Sequence, residues 1–139
     1  MKHNSLATSS LVVLSLLLTA AGAYAQSATR AHVPFAFKVG KAQMPAGNYV
    51  INREMGSDFI TVRNLQTGTA VQALVRPESP SKKTEKLIFH HYGSQYILAE
   101  IWGTAGSDGM ALSPTKQRKD LELAQGPANA GTTVEIASK

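Results

Sequence analysis

The sequence predicts an all-β domain: a small antiparallel β-sandwich or partly open barrel of about six to seven strands, with one short C-terminal helix. Short apolar runs with a two-residue alternation recur along the chain, and residues that favour turns separate them about every ten positions. The connections between these runs are too short for the crossover helices, of about a dozen residues, that a parallel α/β fold needs. We therefore expect the runs to pair as antiparallel strands.

Residues 1–25 have the three-part organisation of a secretory signal peptide. Lys2 precedes an apolar stretch over residues 11–18, and small side chains at Ala23 and Ala25 stand before Gln26, where we expect the mature chain to begin. A permanent membrane anchor would need about 20 consecutive apolar residues, whereas polar residues and a glycine interrupt this stretch. The sequence thus predicts export to the periplasm or the extracellular medium, with no transmembrane segment after cleavage.

Composition limits the function classes of the mature chain. Removing 25 of the 139 residues leaves 114, which predicts a single β-domain over residues 26–126 and a flexible C-terminal tail over residues 127–139. The absence of cysteine excludes disulfides, a thiol nucleophile and cysteine-ligated zinc, and in an exported protein it is typical of bacteria. The net charge is +5 for the full chain and, without Lys2, +4 for the mature chain, but the basic residues are spread along it, so we predict no nucleic-acid partner. A mild positive charge suits either attraction to anionic envelope polymers or simple solubility.

The first predicted strand covers residues 33–39, because large apolar side chains there occupy alternate positions and share one face: Val33, Phe35, Phe37 and Val39. A turn over residues 44–47 follows, in which proline fixes one backbone angle and glycine frees another. Residues 49–51 then predict the second strand.

The middle of the chain predicts a hairpin. Its strands are residues 59–63 and 69–76, joined by the five-residue loop Asn64–Gly68. Residues 77–85 are rich in proline, serine and lysine, and such a segment cannot bury enough apolar surface to order itself. We expect an exposed loop there.

A second hairpin is predicted by residues 87–91 and 96–102, which are rich in aromatic and β-branched side chains. Tyr92–Gln95 between them has the composition of a tight turn. Residues 103–109 predict a glycine-rich loop, and residues 110–112 predict a short edge strand.

The sequence pattern of the C-terminal segment is compatible with more than one secondary structure. Ser113 and Pro114 favour a helix start, because serine accepts backbone N–H bonds and proline is tolerated at the first helical position, so a helix is predicted over residues 115–124. Two leucines spaced two apart leave a strand at residues 120–123 as the alternative. Within the predicted tail, Thr132–Ile136 is a candidate edge strand.

Candidate catalytic chemistry is sparse, and we predict neither an enzyme nor a bound cofactor. His90 and His91 are adjacent in a strand, so their side chains point to opposite faces and cannot bind one metal ion together. Ser57, Ser94 and Ser107 lie in loops and lack the glycine-flanked, sharp strand-to-helix turn of a hydrolase nucleophile. The two-residue alternation places Glu100 on the same face as Tyr96, Leu98 and Trp102. There it is either a buried acid with a raised pKa, or a residue that is solvated or paired with Arg or Lys.

The second hairpin carries the side chains most suited to recognition. Amphipathic aromatic rings recur at sugar-binding and protein-binding surfaces, although the same rings also stabilise ordinary sheets by stacking across strands. The predicted binding surface consists of His90, Tyr92, Tyr96, Glu100 and Trp102. Its expected partner is an unknown protein or an envelope polymer, and unprotected sheet edges offer a second route, by pairing with another chain or with a second copy.

Two other functions stay open at this stage. A small-ligand or metal carrier would use a sandwich cavity near His32, His90 and Glu100. A secreted hydrolase is the remaining alternative, with no specific motif in its support.

Two segments carry a family resemblance: VPFAFKVGKAQMPAGNYVI at residues 33–51 and LIFHHYGSQYILAEIW at residues 87–102. Together they resemble a group of small exported β-proteins from acidobacterial-type bacteria with the pattern VPFxFxVGxxxLPAGxYxV and LxFHxYGxxYFLxxIW. The group has no assigned activity. The shared positions are mostly glycine, proline and apolar residues, so the resemblance implies a secreted β-domain and assigns no catalytic residue.

Overall fold

A computed structural model describes residues 28–53, 56–78, 85–103, 109–125 and 132–138, and these residues form ten strands and one helix. The strands are β1 (Thr29–Val33), β2 (Phe37–Val39), β3 (Ala42–Met44), β4 (Gly47–Arg53), β5 (Phe59–Asn64), β6 (Ala70–Glu78), β7 (Lys86–Tyr92), β8 (Gln95–Trp102), β9 (Gly109–Leu112) and β10 (Thr132–Ala137), and the helix is α1 (Lys116–Gln125). The predicted all-β class with a short helix is confirmed. The predicted number of strands, about six to seven, is wrong.

All ten strands belong to one hydrogen-bonded network whose main path runs β1-β4-β5-β6-β9-β8-β2-β3. Strand β7 pairs with the other edge of β8 and also with β10. Neighbouring strands pair in antiparallel orientation, except that β2 and β8 pair in parallel through Lys38 and Ile97. An isolated bridge between Ala31 and Ser138 brings β1, at one end of this path, beside the end of β10, which lies off it, but the sheet does not close.

The first predicted strand is two strands in the structure. β1 ends at Val33 and pairs with β4, whereas β2 begins at Phe37 and pairs with β3 and β8. Pro34 lies at the break and lacks the N–H group that a continuing ladder would use. The alternation still gives the correct buried side chains, since Val33, Phe37 and Val39 are buried and Phe35 packs against the core.

The core lies on the inner face of the curved network and is built around aromatic rings. Phe37 packs edge-to-face against Tyr49 and Phe89, with ring centroids 5.0 and 5.2 Å apart. Phe35 packs against Phe89 in the same way at 5.2 Å. Edge-to-face pairs at these distances add to the stabilisation from buried area, so this cluster joins strands β2, β4 and β7 without covalent help.

A β-bulge in β8 changes which side chains share a face. Phe89 pairs with Leu98 but Ile88 pairs with Glu100, so Ala99 is an extra residue without a partner across the ladder. Leu98 and Ile101 both reach the core, whereas Trp102 is buried outside it. The predicted common face of Tyr96, Leu98, Glu100 and Trp102 is therefore wrong, because the bulge moves the last two to the outer side.

Strand β9 is central rather than at an edge, since it pairs with both β6 and β8. Its pairing with β6 draws Pro77 and Glu78 into that strand, where we expected the start of an exposed loop. Proline is tolerated at this point because β5 pairs with β6 only as far as Leu74 and needs no N–H from residue 77. Residues 79–84 and 104–108 of the two predicted loops lie outside the described residues.

The C-terminal segment contains the predicted helix and an additional strand. Helix α1 is capped by Thr115, whose hydroxyl accepts the N–H of Arg118 at 3.3 Å, so the predicted cap at Ser113 is two residues too early. Residues 132–137 form β10 and pair with β7 along their whole length, which extends the sheet into the segment where a flexible tail was predicted. Among the described residues, no helix is long and apolar enough to cross a membrane.

Candidate functional site

The five residues of the predicted binding surface do not form one exposed patch. Tyr92 and Trp102 are 3% and 4% exposed, so neither ring is available to a partner in this conformation. Trp102 donates its indole N–H to Glu100 at 2.8 Å and lies against the backbone of Gly109. Glu100 is half-buried, and its hydrogen-bond donor is the Trp102 indole rather than the arginine or lysine of the paired alternative.

Tyr96 is the central ring of a three-ring stack. It lies between Phe35 and His91, with centroid distances of 4.0 and 4.2 Å and interplanar angles of 20° and 16°. All three rings are half-buried. His90 points away from this stack, as the predicted opposite orientation of the two adjacent histidines requires.

His90 belongs to a polar cluster that holds α1 against β7. Arg118 donates to the Nδ1 of His90 at 3.2 Å and to Glu122 at 2.8 Å, and Tyr92 donates its hydroxyl to the same Glu122 oxygen at 3.0 Å. Burial and the nearby Arg118 charge lower the pKa of His90, against the smaller opposing effects of Glu100 and Glu122. A neutral Nδ1 accepting from Arg118 agrees with that direction.

The same cluster shifts the pKa values of Glu122 and Tyr92. Burial raises the pKa of Glu122, but hydrogen bonds from Arg118 and Tyr92 outweigh it and leave the pKa below its ordinary value. Burial, with the Glu122 contact, raises the pKa of Tyr92. An anionic Glu122 is thus the acceptor for a neutral tyrosine and a cationic arginine, an arrangement that fixes the helix but presents no nucleophile.

The predicted carrier site around His32, His90 and Glu100 is not assembled. His32 lies on the exposed side of β1 and donates from Nδ1 to Asn48 at 2.8 Å, whereas His90 is bonded to Arg118 of α1 and Glu100 is bonded to Trp102 of β8. A cavity of about 400 Å³ lies beside His32, but neither His90 nor Glu100 lines it. Within the described ranges, no three residues among His, Asp and Glu are grouped as metal ligands.

A cleft that the sequence did not indicate lies where the sheet is interrupted. β9 covers the edge of β6 from Val75 to Glu78, but Ala70–Leu74 have no strand on that side in the described part of the chain. A cleft of about 460 Å³ opens there between residues 39–42, 71–74 and 112–115, and we call it the seam cleft. No sequence signal marks it, because it arises from strands far apart in the chain.

The direction of the hydrogen bonds shows which backbone groups of β6 point into the seam cleft. Val75 donates its N–H to Asp58 on the β5 side, and Leu74 accepts from Ser113 on the opposite side at 2.9 Å. Successive residues of a strand direct their backbone groups to opposite neighbours, so Gln72 presents its N–H and C=O groups to the cleft and Ala70 directs its own to the same side of β6. The cleft therefore has an unpaired strand edge for one wall and apolar side chains, including Val39, Val71 and Leu112, around it.

Comparison of the chain with protein-family models, with curated proteins and with solved structures found no match in any of the three.

Proposed function

We propose that the chain is an exported, noncatalytic binding module of the bacterial envelope or extracellular space, and that it binds an extended segment of a partner protein by strand addition. In this proposal the sheet is a partly open barrel, and the partner's segment enters at the opening. The N-terminal signal-peptide pattern and the resemblance to small exported proteins support export.

The observation that carries the proposal is the unpaired edge of β6 at the seam cleft. Ala70–Leu74 form an edge of five residues, about 17 Å long, in which Ala70 and Gln72 present both backbone groups outward and the Leu74 carbonyl is already bonded to Ser113. The segment AVQALV contains no charge and no proline, so it lacks the features that natural edge strands use to prevent pairing. Main-chain bonds would provide affinity, and the apolar wall would select alternate side chains of the partner.

Strand addition is favoured over recognition by the second hairpin because of exposure. Direct recognition would need the rings of Tyr92 and Trp102 at the surface, and both are buried. At the seam cleft, by contrast, the recognition groups are backbone atoms that are already directed outward.

The experiment uses the N–H of Gln72. Peptides of about eight residues selected from a random display library against the protein would be tested on Gln72→Pro, which removes that N–H, and on Gln72→Ala, which keeps it. Proline is tolerated at an edge position whose N–H is not used by the sheet, so both variants should fold. We expect Gln72→Pro to weaken binding at least about tenfold and Gln72→Ala to leave it within about twofold.

Backbone methylation of a selected peptide gives a second readout. Strand addition predicts that N-methyl groups disrupt binding at alternate residues only, because every second amide points away from β6. Peptides that bind both Gln72 variants equally, or that show no alternation in the methylation series, would refute the proposed mode.

A further inference from the structure

The outer face of strands β1, β4, β5 and β6 is basic. Alternation places the core residues of these strands on one side and leaves Arg30, Arg63 and Arg76 exposed on the other. From Arg30 to Arg76 the outward positions of the four strands are basic or neutral, and the first acidic one is Glu78 at the end of β6. The excess positive charge on this face is therefore local, although the basic residues are spread through the sequence.

Strand register places two of the arginines in one row. Arg30 pairs with Val50, and Val50 pairs with Arg63, so the two arginines flank a valine two strand spacings, or about 10 Å, apart. Neither has a carboxylate of the described residues within salt-bridge distance. Each guanidinium therefore keeps its planar set of donors for a carboxylate, which it can bind through two hydrogen bonds.

A cavity lies at one end of this row. It has a volume of about 400 Å³, and its lining combines Arg30, His32 and Asn48 with apolar atoms of Leu65 and Ala137. The hydrogen bond from His32 to Asn48 and the bond from the Asn48 N–H to Gln66 fix its polar rim. Pockets of this size, with apolar walls and a few oriented polar groups, hold small ligands or one unit of a larger one.

The neighbouring row consists of neutral hydrogen-bonding side chains. Asn52 pairs with Thr61, and Thr61 pairs with Gln72, so two amides and a hydroxyl cross three strands side by side. Amides and hydroxyls both donate and accept, which suits the hydroxyl groups of sugars. The face thus combines cation sites about 10 Å apart with a row that matches polyhydroxylated units.

We propose that this face binds a polysaccharide that carries carboxylate groups. Arg30 and Arg63 pair with acidic groups of the polymer, the cavity beside His32 receives one sugar unit, and the row from Asn52 to Gln72 contacts hydroxyls. This face shares Gln72 with the seam cleft, but strand addition uses the backbone of that residue whereas the polysaccharide contacts its side chain. A membrane surface fits less well, because the neutral amide row separates Arg30 and Arg63 from the exposed Phe59 and Leu74.

The test measures binding of oligogalacturonate, a chain of carboxylated sugars, to the purified protein by calorimetry. The variant is Arg30→Gln with Arg63→Gln, and its matched control is Lys116→Gln with Lys119→Gln, which removes the same charge from exposed positions on α1. We expect the arginine pair to weaken binding at least about tenfold and the lysine pair to change it less than about twofold. Thermal unfolding checks that all variants fold.

Methyl-esterified oligogalacturonate is the ligand control, since it keeps the sugar units but has no carboxylate charge. We expect it to bind at least about tenfold more weakly than the acid form. The proposal is overturned by equal losses in the two variants, which would indicate net charge only, or by equal binding of the esterified form. Tighter binding to duplex DNA or to phosphatidylglycerol vesicles, or no binding of the acid form, would also overturn it.

Discussion

Replacing Asn64 with alanine should destabilise the domain by about 2 kcal/mol. Asn64 is 1% exposed, and its Oδ1 accepts the backbone N–H groups of Gln66 at 2.8 Å and Thr67 at 2.9 Å. These bonds organise the loop between β5 and β6. A hydrogen bond of this kind contributes about 1 kcal/mol net, so losing two costs about 2 kcal/mol.

Urea and thermal denaturation followed by the fluorescence of Trp102, the single tryptophan of the chain, would measure this loss. For a domain of this size a change of about 2 kcal/mol lowers Tm by about 10 °C. Asn52→Ala is the control, because it removes the same amide from the half-buried outer face of β4 and should change stability by less than about 0.5 kcal/mol. Equal effects of the two substitutions would refute the role given to Asn64.

Three further predictions follow from other parts of the structure. Gly109→Ala should cost about 1–3 kcal/mol by overpacking, because the added Cβ would lie 2.4 Å from the ring of Trp102, and unchanged urea denaturation would contradict that contact. Burial, together with Arg118, holds the pKa of His90 below its ordinary value of 6.5, so the unfolded chain takes up the proton first as pH falls. The stability that this neutral histidine contributes is complete above pH 6.5 and is lost as pH falls towards the lower native pKa. In urea denaturation from pH 7.5 to 5, the free energy of unfolding of His90→Asn should therefore depend less on pH than that of the parent. Mass spectrometry of exported protein should find a chain that begins at Gln26, and a retained Met1 would contradict export by cleavage.

The sequence predicts where the individual strands lie better than it predicts which strands pair with each other. Alternation identifies the inward side chains of β1 and β2 and both hairpins, because burial and tight turns depend on residues close in the chain. It does not show that Pro34 separates two strands with different partners, nor that β9 lies between β6 and β8. Those pairings depend on segments that are distant in sequence.

The candidate sites were less predictable for the same reason. The alternation of β8 places Glu100 and Trp102 on the face of Leu98, and one bulge residue, Ala99, reverses that assignment. The seam cleft exists because β9 is shorter than β6, which only the assembled sheet defines. The row that holds Arg30 and Arg63 is likewise a property of register.

The bridge between Ala31 and Ser138 joins the first and last strands of the described chain. Since β10 also supplies the partner for one whole edge of β7, an emerging polypeptide cannot complete either pairing until residues 132–138 have been synthesised. Premature folding during synthesis is therefore disfavoured by the order of the strands. That delay suits a chain which, under the export proposal, must cross a membrane in an unfolded state.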